Sequence, residues 1–170
     1  MAGSLEFIKS ATGSGVSSLS VTDCFSDKYD VYYIDVVTFV PTSNATGQIR
    51  LIDSGGSLIS DSEYDYAHLY LKSFASFAEE RATSQTFMGY TYRADASDDK
   101  GVGLSLYIFN PNDSSSYTFG LWQATAWDSG SGLVGRKGIG VHKSAEQISG
   151  INVSRTAGTQ DVAISVYGVK

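Results

Sequence analysis

The chain has 170 residues, a length that fits one domain able to bury a core without disulfides or metals to hold it together. Its 12 Lys and Arg against 18 Asp and Glu give a net charge of −6 with neutral His and a pI near 4.7. An acidic domain without a basic stripe cannot displace phosphate counterions, which argues against nucleic acid as a partner and leaves a basic protein or a neutral glycan easier to accommodate.

The opening, Met1-Ala2-Gly3-Ser4-Leu5-Glu6, lacks the basic head and apolar run of a secretory signal, and no apolar stretch is long enough to span a bilayer. The expectation is a chain made and folded in a cytoplasm, with no membrane partner. Cys24 is the only cysteine, so no intramolecular disulfide or thiolate metal cluster can form within one chain; it is expected to be structurally dispensable if exposed or loosely packed.

With 11 Tyr, 8 Phe and 18 Gly beside abundant Ser and Thr, the composition favours strands and tight turns. Strand-like runs recur at 5–11, 16–21, 30–40, 48–52, 63–71, 86–92, 102–109, 117–127, 133–141, 151–155 and 162–169, each closed by a turn-forming cluster. The predicted architecture is all-β: one antiparallel, jelly-roll-like β-sandwich over residues 1–170, of about 8–11 strands with at most one short helix.

The stretch Tyr32-Tyr33-Ile34-Asp35-Val36-Val37-Thr38-Phe39-Val40 is apolar on both faces but for Asp35, which predicts a central strand covered on both sides. Ser54-Gly55-Gly56-Ser57 and Asn110-Pro111-Asn112-Asp113 read as turns, and 94–100 as an exposed loop. In the segment from Asp61 to Leu71, period two sends Asp61, Glu63 and Asp65 to one side and Tyr64, Tyr66, His68 and Tyr70 to the other. The acidic side could hold Ca²⁺ or be a solvated strand start; the aromatic row could stack on sugars or close the core or a subunit contact. The favoured readings are the solvated strand start for the acidic side and packing for the aromatic row.

Phe74, Phe77, Ala78 and Ala82 fall on one helical face, so 73–82 reads as the one short helix. In the 102–108 run, Val102, Leu104, Leu106 and Ile108 share a face, and Val162, Ile164 and Val166 repeat the pattern at the C-terminus. Trp122 and Trp127, five apart, should point to opposite faces, with Trp127 the candidate for contact. The Gly-rich stretch from Gly130 to Gly138 has the first spacing of a phosphate loop, but Arg136 and Lys137 stand where Lys and Ser or Thr are needed and no helix follows; a flexible hairpin turn is expected. A basic patch, were one to exist, would start from Arg136, Lys137 and Lys143.

Catalysis finds little footing. His68 and His142 are the only imidazoles, no Gly-x-Ser-x-Gly elbow occurs, and the Asp and Glu residues offer no identifiable acid/base pair. The predicted site inventory is therefore no catalytic residue, no cofactor and no metal, with Tyr64, Tyr66, His68, Tyr70 and Trp127 as a candidate contact surface.

Three stretches resemble small virion structural proteins of tailed bacteriophages, a group frequent among marine phages: Leu5-Glu6-Phe7-Ile8-Lys9-Ser10-Ala11-Thr12 with Phe25-Ser26-Asp27-Lys28-Tyr29-Asp30-Val31-Tyr32, the closing Ile164-Ser165-Val166-Tyr167-Gly168-Val169-Lys170, and Glu63-Tyr64-Asp65-Tyr66-Ala67 between them. The stretch from about Phe74 to Trp127 departs most from that group. The resemblance implies a jelly-roll-like, non-enzymatic subunit on the virion, either capsid-decorating or accessory, with other virion proteins and copies of itself as partners. Its alternative is a tail-fibre module that recognises a host glycan. No functional residue is carried over by it.

Overall fold

The computed structural model describes residues 4–94, 101–128 and 132–170. Twelve strands follow one another along them: β1 (Leu5–Val16), β2 (Ser18–Val21), β3 (Val31–Pro41), β4 (Ala45–Asp53), β5 (Tyr64–Lys72), β6 (Ala78–Gln85), β7 (Gly89–Ala94), β8 (Val102–Phe109), β9 (Thr118–Asp128), β10 (Gly132–His142), β11 (Ile148–Arg155) and β12 (Gln160–Val169). All pairings are antiparallel. Eight strands form a large sheet in the order β1-β12-β3-β8-β9-β10-β5-β6, and four form a small sheet in the order β2-β11-β4-β7. The result is an antiparallel, jelly-roll-like β-sandwich with one strand more than the sequence pattern indicates. The loop read at 94–100, apart from Ala94, and the first two residues of the glycine-rich stretch from Gly130 to Gly138 lie outside the described residues.

The chain changes sheets at short joints. Ser17 separates β1 at one edge of the large sheet from β2 at an edge of the small one, and three residues separate β6 from β7 at the opposite side. Both long sides of the sandwich are closed by the chain itself. The turn after β4 forms as expected: the Asp53 carboxylate accepts the Ser57 N–H at 2.8 Å, while Gly56 takes φ +84°, a left-handed value that suits glycine.

The short helix is absent. Its place is taken by β6, which pairs with β5 from Tyr70↔Ala78 to Tyr64↔Gln85 and bulges where Ser84 has φ +54°. Phe74 and Phe77, which made the helical face, are both exposed, so no tertiary contact rewards a helix there. Sheet pairing satisfies the backbone of Glu79-Glu80-Arg81 instead, and charged residues suit an edge strand.

The alternation read in the sequence decides the core. Val102, Leu104, Leu106 and Ile108 of β8, Val162, Ile164 and Val166 of β12, and Tyr32, Ile34 and Val36 of β3 are buried between the sheets. β3 is central, but the expected cover on both sides is not found: the small sheet packs on its inner face alone, and Tyr33 on the outer face is only half-buried. The buried hydroxyls of Tyr64 and Tyr92 are tied into the structure, whereas those of Tyr29, Thr91 and Thr118 have no hydrogen-bond partner among the described residues. Tyr64 donates to Ile59 O and accepts from Leu51 N, and Tyr92 donates to Gln160 Oε1 at 2.7 Å.

The largest fully buried side chain is Trp122, on the inner face of β9, and it explains the glycines of β10. A Cβ added at Gly138 of β10 or at Gly89 of β7 would stand 2.4 Å from the indole; one at Gly140 would stand 2.5 Å from Met88 O. The indole therefore occupies a slot cut by glycine from both sheets, the close approach that glycine within a strand often marks. The stretch expected to be a flexible turn is, from Gly132 onward, a strand carved to fit tryptophan.

Cys24 is also in the core, contrary to the exposed or loosely packed setting in which it would be dispensable. Its Sγ donates to Val21 O at 3.3 Å, and burial pushes the thiol up to about 12.

Gly138→Ala is expected to lower the unfolding free energy by about 1–3 kcal/mol, because the methyl overpacks the slot; a denaturant titration measures it, and an unchanged midpoint would mean that the indole has room to move. Cys24 in the folded protein should ignore a thiol reagent at about pH 8 and react once the chain is unfolded, since the thiolate is the reactive form. Prompt labelling of the native state would show that this part of the core opens.

Candidate functional site

The outer face of the large sheet carries the features left over after the core is filled. Register places one residue from each of its eight strands in a single row: Phe7, Tyr167, Tyr33, Tyr107, Leu121, Ile139, Ala67 and Arg81. Each neighbour in the row is a directly opposed cross-strand pair, the arrangement in which side chains touch. The rings make contact along it, with centroids 5.7 Å apart for Phe7–Tyr167, 6.1 Å for Tyr167–Tyr33 and 5.2 Å for Tyr33–Tyr107. A second row beside it runs Phe109, Phe119, Val141 and Asp65. Toward the other end of the strands the face turns polar, with Ser105, Gln123 and Lys137 in register.

These side chains are open to solvent. Phe7 is 57 % exposed, Phe119 45 % and Ile139 61 %, and no layer of the described residues lies over them. Between β6 and the β8–β9 pair the face is hollow. A groove of about 780 Å³ is lined by Phe109, Phe119, Leu121, Ile139, Arg81 and Thr83, and a second of about 750 Å³ adjoins it toward Leu69, Glu79 and Lys137.

Charge flanks the apolar rows, with Asp65 and Arg81 toward the β5–β6 side and Asp35 and Lys137 in the polar stretch. Asp65 receives Lys143 Nζ at 2.8 Å and the Ser84 N–H at 2.8 Å, and the lysine holds its carboxyl below the usual range with help from that amide. Arg136, Lys137 and Lys143 do not form a patch: Arg136 is buried on the inner face, Lys137 stands on the outer face, and Lys143 is paired with Asp65.

The aromatic row of β5 faces inward. Tyr64, Tyr66 and His68 are buried and Tyr70 is half-buried, with Tyr66 packed against His68, Phe87 and Tyr90 at centroid distances of 5.7 to 5.9 Å. Beside them the Arg136 guanidinium lies 5.0 Å from the Tyr70 ring and 5.6 Å from the Tyr90 ring. Burial, and then this cation, push His68 below its ordinary value, while Glu80 opposes the shift. His68 Nε2 is 3.2 Å from Glu80 Oε2 but out of line for a hydrogen bond. Of the five residues read as a contact surface, Trp127 alone lies open on the outer face, 44 % exposed and opposite Leu133. Trp122 and Trp127 do point to opposite faces.

The outer rows escaped the sequence reading because each residue looks incidental within its own strand. The one signal was the apolar outer face of β3, which was read as a covered layer.

No family model matches the sequence, and no curated protein matches it. Among solved structures, lactose- and MES-liganded congerin II has 13 % identity and a TM-score of 0.31, with 90 % of this chain and 99 % of that one covered. The catalytic domain of PdAgaC has 8 % identity and a TM-score of 0.27 over 99 % and 74 % of the two chains. The CBM2 module of the evolved Dit of Lactobacillus casei BL23 phage J-1 has 12 % identity and a TM-score of 0.16 over 95 % and 69 %. Likeness this weak carries no activity or ligand to the present chain.

Tyr66→Ala should cost about 3–5 kcal/mol of stability, as large-to-small changes at buried rings do. Trp127→Ala, at an open position, should stay within about 0.5 kcal/mol. Paired denaturant titrations measure both, and equal effects would contradict the division into an inner packed row and an outer free face.

Proposed function

We propose that the protein is a non-catalytic virion subunit of a tailed phage, an accessory or capsid-decorating protein that docks on the particle and on its own copies through the outer face of the large sheet. The observation that carries this reading is the unbroken row from Phe7 to Ile139, six opposed aromatic and aliphatic side chains on six adjacent strands that no other described residues cover as a layer. Contiguous exposed apolar surface of this extent marks an interaction site in a soluble protein, because it costs free energy in water until a partner covers it. Placement in a virion, after synthesis in a host cytoplasm, is supported by the resemblance of both chain ends to phage structural proteins.

A receptor-binding role toward a host glycan is the second reading, favoured by the rings of Phe109 and Phe119 in the groove. Sugar recognition also needs converging hydrogen-bonding groups, and Asp65 at the rim is already engaged by Lys143 and Ser84. A protein surface therefore fits the groove better than a sugar does.

The test mixes purified protein with undecorated heads and, separately, with host cells. Binding to heads should weaken about tenfold or more in Ile139→Lys, which places a charge at the middle of the apolar face, while the variant's melting stays within about 0.5 kcal/mol of wild type. Binding to cells but not to heads would overturn the assembly reading.

A further inference from the structure

At the end of the sandwich where β5 begins and β10 ends, three ligand-type side chains converge without being part of the outer face. His142 is the last residue of β10, Glu63 directly precedes β5, and Glu146 lies in the loop leading to β11. The His142 ring is fully buried, and its Nε2 points outward between two carboxylates, 3.1 Å from Glu63 Oε2 and 3.6 Å from Glu146 Oε1. All three ligand atoms lie within 4.8 Å of one another.

The geometry is held from several sides. The Tyr64 ring packs on the imidazole at a centroid distance of 4.9 Å. The Lys143 N–H donates to Glu63 O at 2.8 Å, which ties the start of β5 to the end of β10. The Lys143 side chain, the nearest cation in sequence, is turned away to Asp65 at 2.8 Å and leaves the two glutamates to the imidazole.

One ring proton cannot serve both acids. An Nε2–H satisfies Glu63 at 3.1 Å, and the Glu146 oxygen at 3.6 Å is beyond hydrogen-bonding reach. Two like charges are thus gathered around a single donor. A divalent cation answers this arrangement. With bonds of about 2.0–2.2 Å to imidazole nitrogen and carboxylate oxygen, neighbouring ligand atoms of a zinc-type site stand roughly 3–3.6 Å apart, which matches the two separations from Nε2.

From this we infer that Glu63, His142 and Glu146 bind a divalent cation of the zinc type, with solvent completing its coordination. The mixed nitrogen and carboxylate donors favour such an ion over Ca²⁺ or Mg²⁺, which take oxygen ligands. On binding, the imidazole proton moves to Nδ1 and Nε2 offers its lone pair. Nδ1 is buried and has no partner in the metal-free form either. Lack of an outer-shell acceptor weakens metal sites about 10- to 100-fold, so this one is weaker than a fully supported zinc centre. The ion would clasp the β10–β11 loop to the start of β5, and the site is independent of the docking role proposed above.

The experiment strips the protein with a chelator and titrates it with Zn²⁺, and in parallel with Ca²⁺, following both melting temperature and the imidazole nitrogen resonances. Zn²⁺ should raise the melting temperature and shift the His142 signals, leaving those of His68, the only other histidine, in place. Glu146→Gln, a substitution at a partly exposed loop position, should melt like wild type without metal and lose the Zn²⁺ response. An unresponsive wild type, a response to Ca²⁺ alone, or a full Zn²⁺ response in Glu146→Gln would each overturn the assignment.

Discussion

The indole of Trp122 sits where the two sheets must come together, and the backbone around it is shaped to admit it. Gly138 and Gly140 lie beside it on β10, and Gly89 faces it from β7; the first and last of these would collide with the ring if they carried a Cβ. Removing side chains from three positions to seat one large ring is a steric solution that tolerates little change, since interiors are packed to near-crystalline density. The close approach of the layers at this point depends on that single fit.

Because the inner face is so fully used, the outer face of the same strands reveals what the fold leaves over. Tyr64, Tyr66 and His68 of β5 are enclosed, while Leu121 and Ile139, on strands that contribute Trp122 and its glycines inward, stand in water. Period two makes this unavoidable: a strand that spends one face on the core has another to dispose of. Most solvent-facing positions in such sheets are polar, so a row of Phe, Tyr, Leu and Ile across six strands requires a different account, and covering by a partner supplies one.

The inner half of the structure was legible in the sequence and the outer half was not. Val102, Leu104, Leu106 and Ile108 announce a half-buried strand by themselves, and the five-residue separation of Trp122 and Trp127 settles which faces they take. The segment 73–82 reads as a helix because Phe74, Phe77, Ala78 and Ala82 coincide with a helical spacing, whereas edge pairing of β6 with β5, invisible from local pattern, decides the matter. The glycines of β10 looked like a turn because the partner that explains them lies in another strand. The outer row is the extreme case: it comprises one residue per strand from eight strands whose spatial order bears little relation to their order in the chain. The cluster of Glu63, His142 and Glu146 was hidden for the same reason, being split between two loops and a strand end.

The position of β12 between β1 and β3 bears on how the molecule is made. β12, the last of the twelve strands in sequence, is an interior member of the large sheet and pairs with the first, Leu5 meeting Val169. Until β12 is in place, β1 and β3 each keep an unfilled edge, two open templates for strand addition. β12 is then a keystone: its arrival joins β1 to the other six strands of the sheet, so a chain that lacked it would lose the seat of β1 as well as a strand of its own.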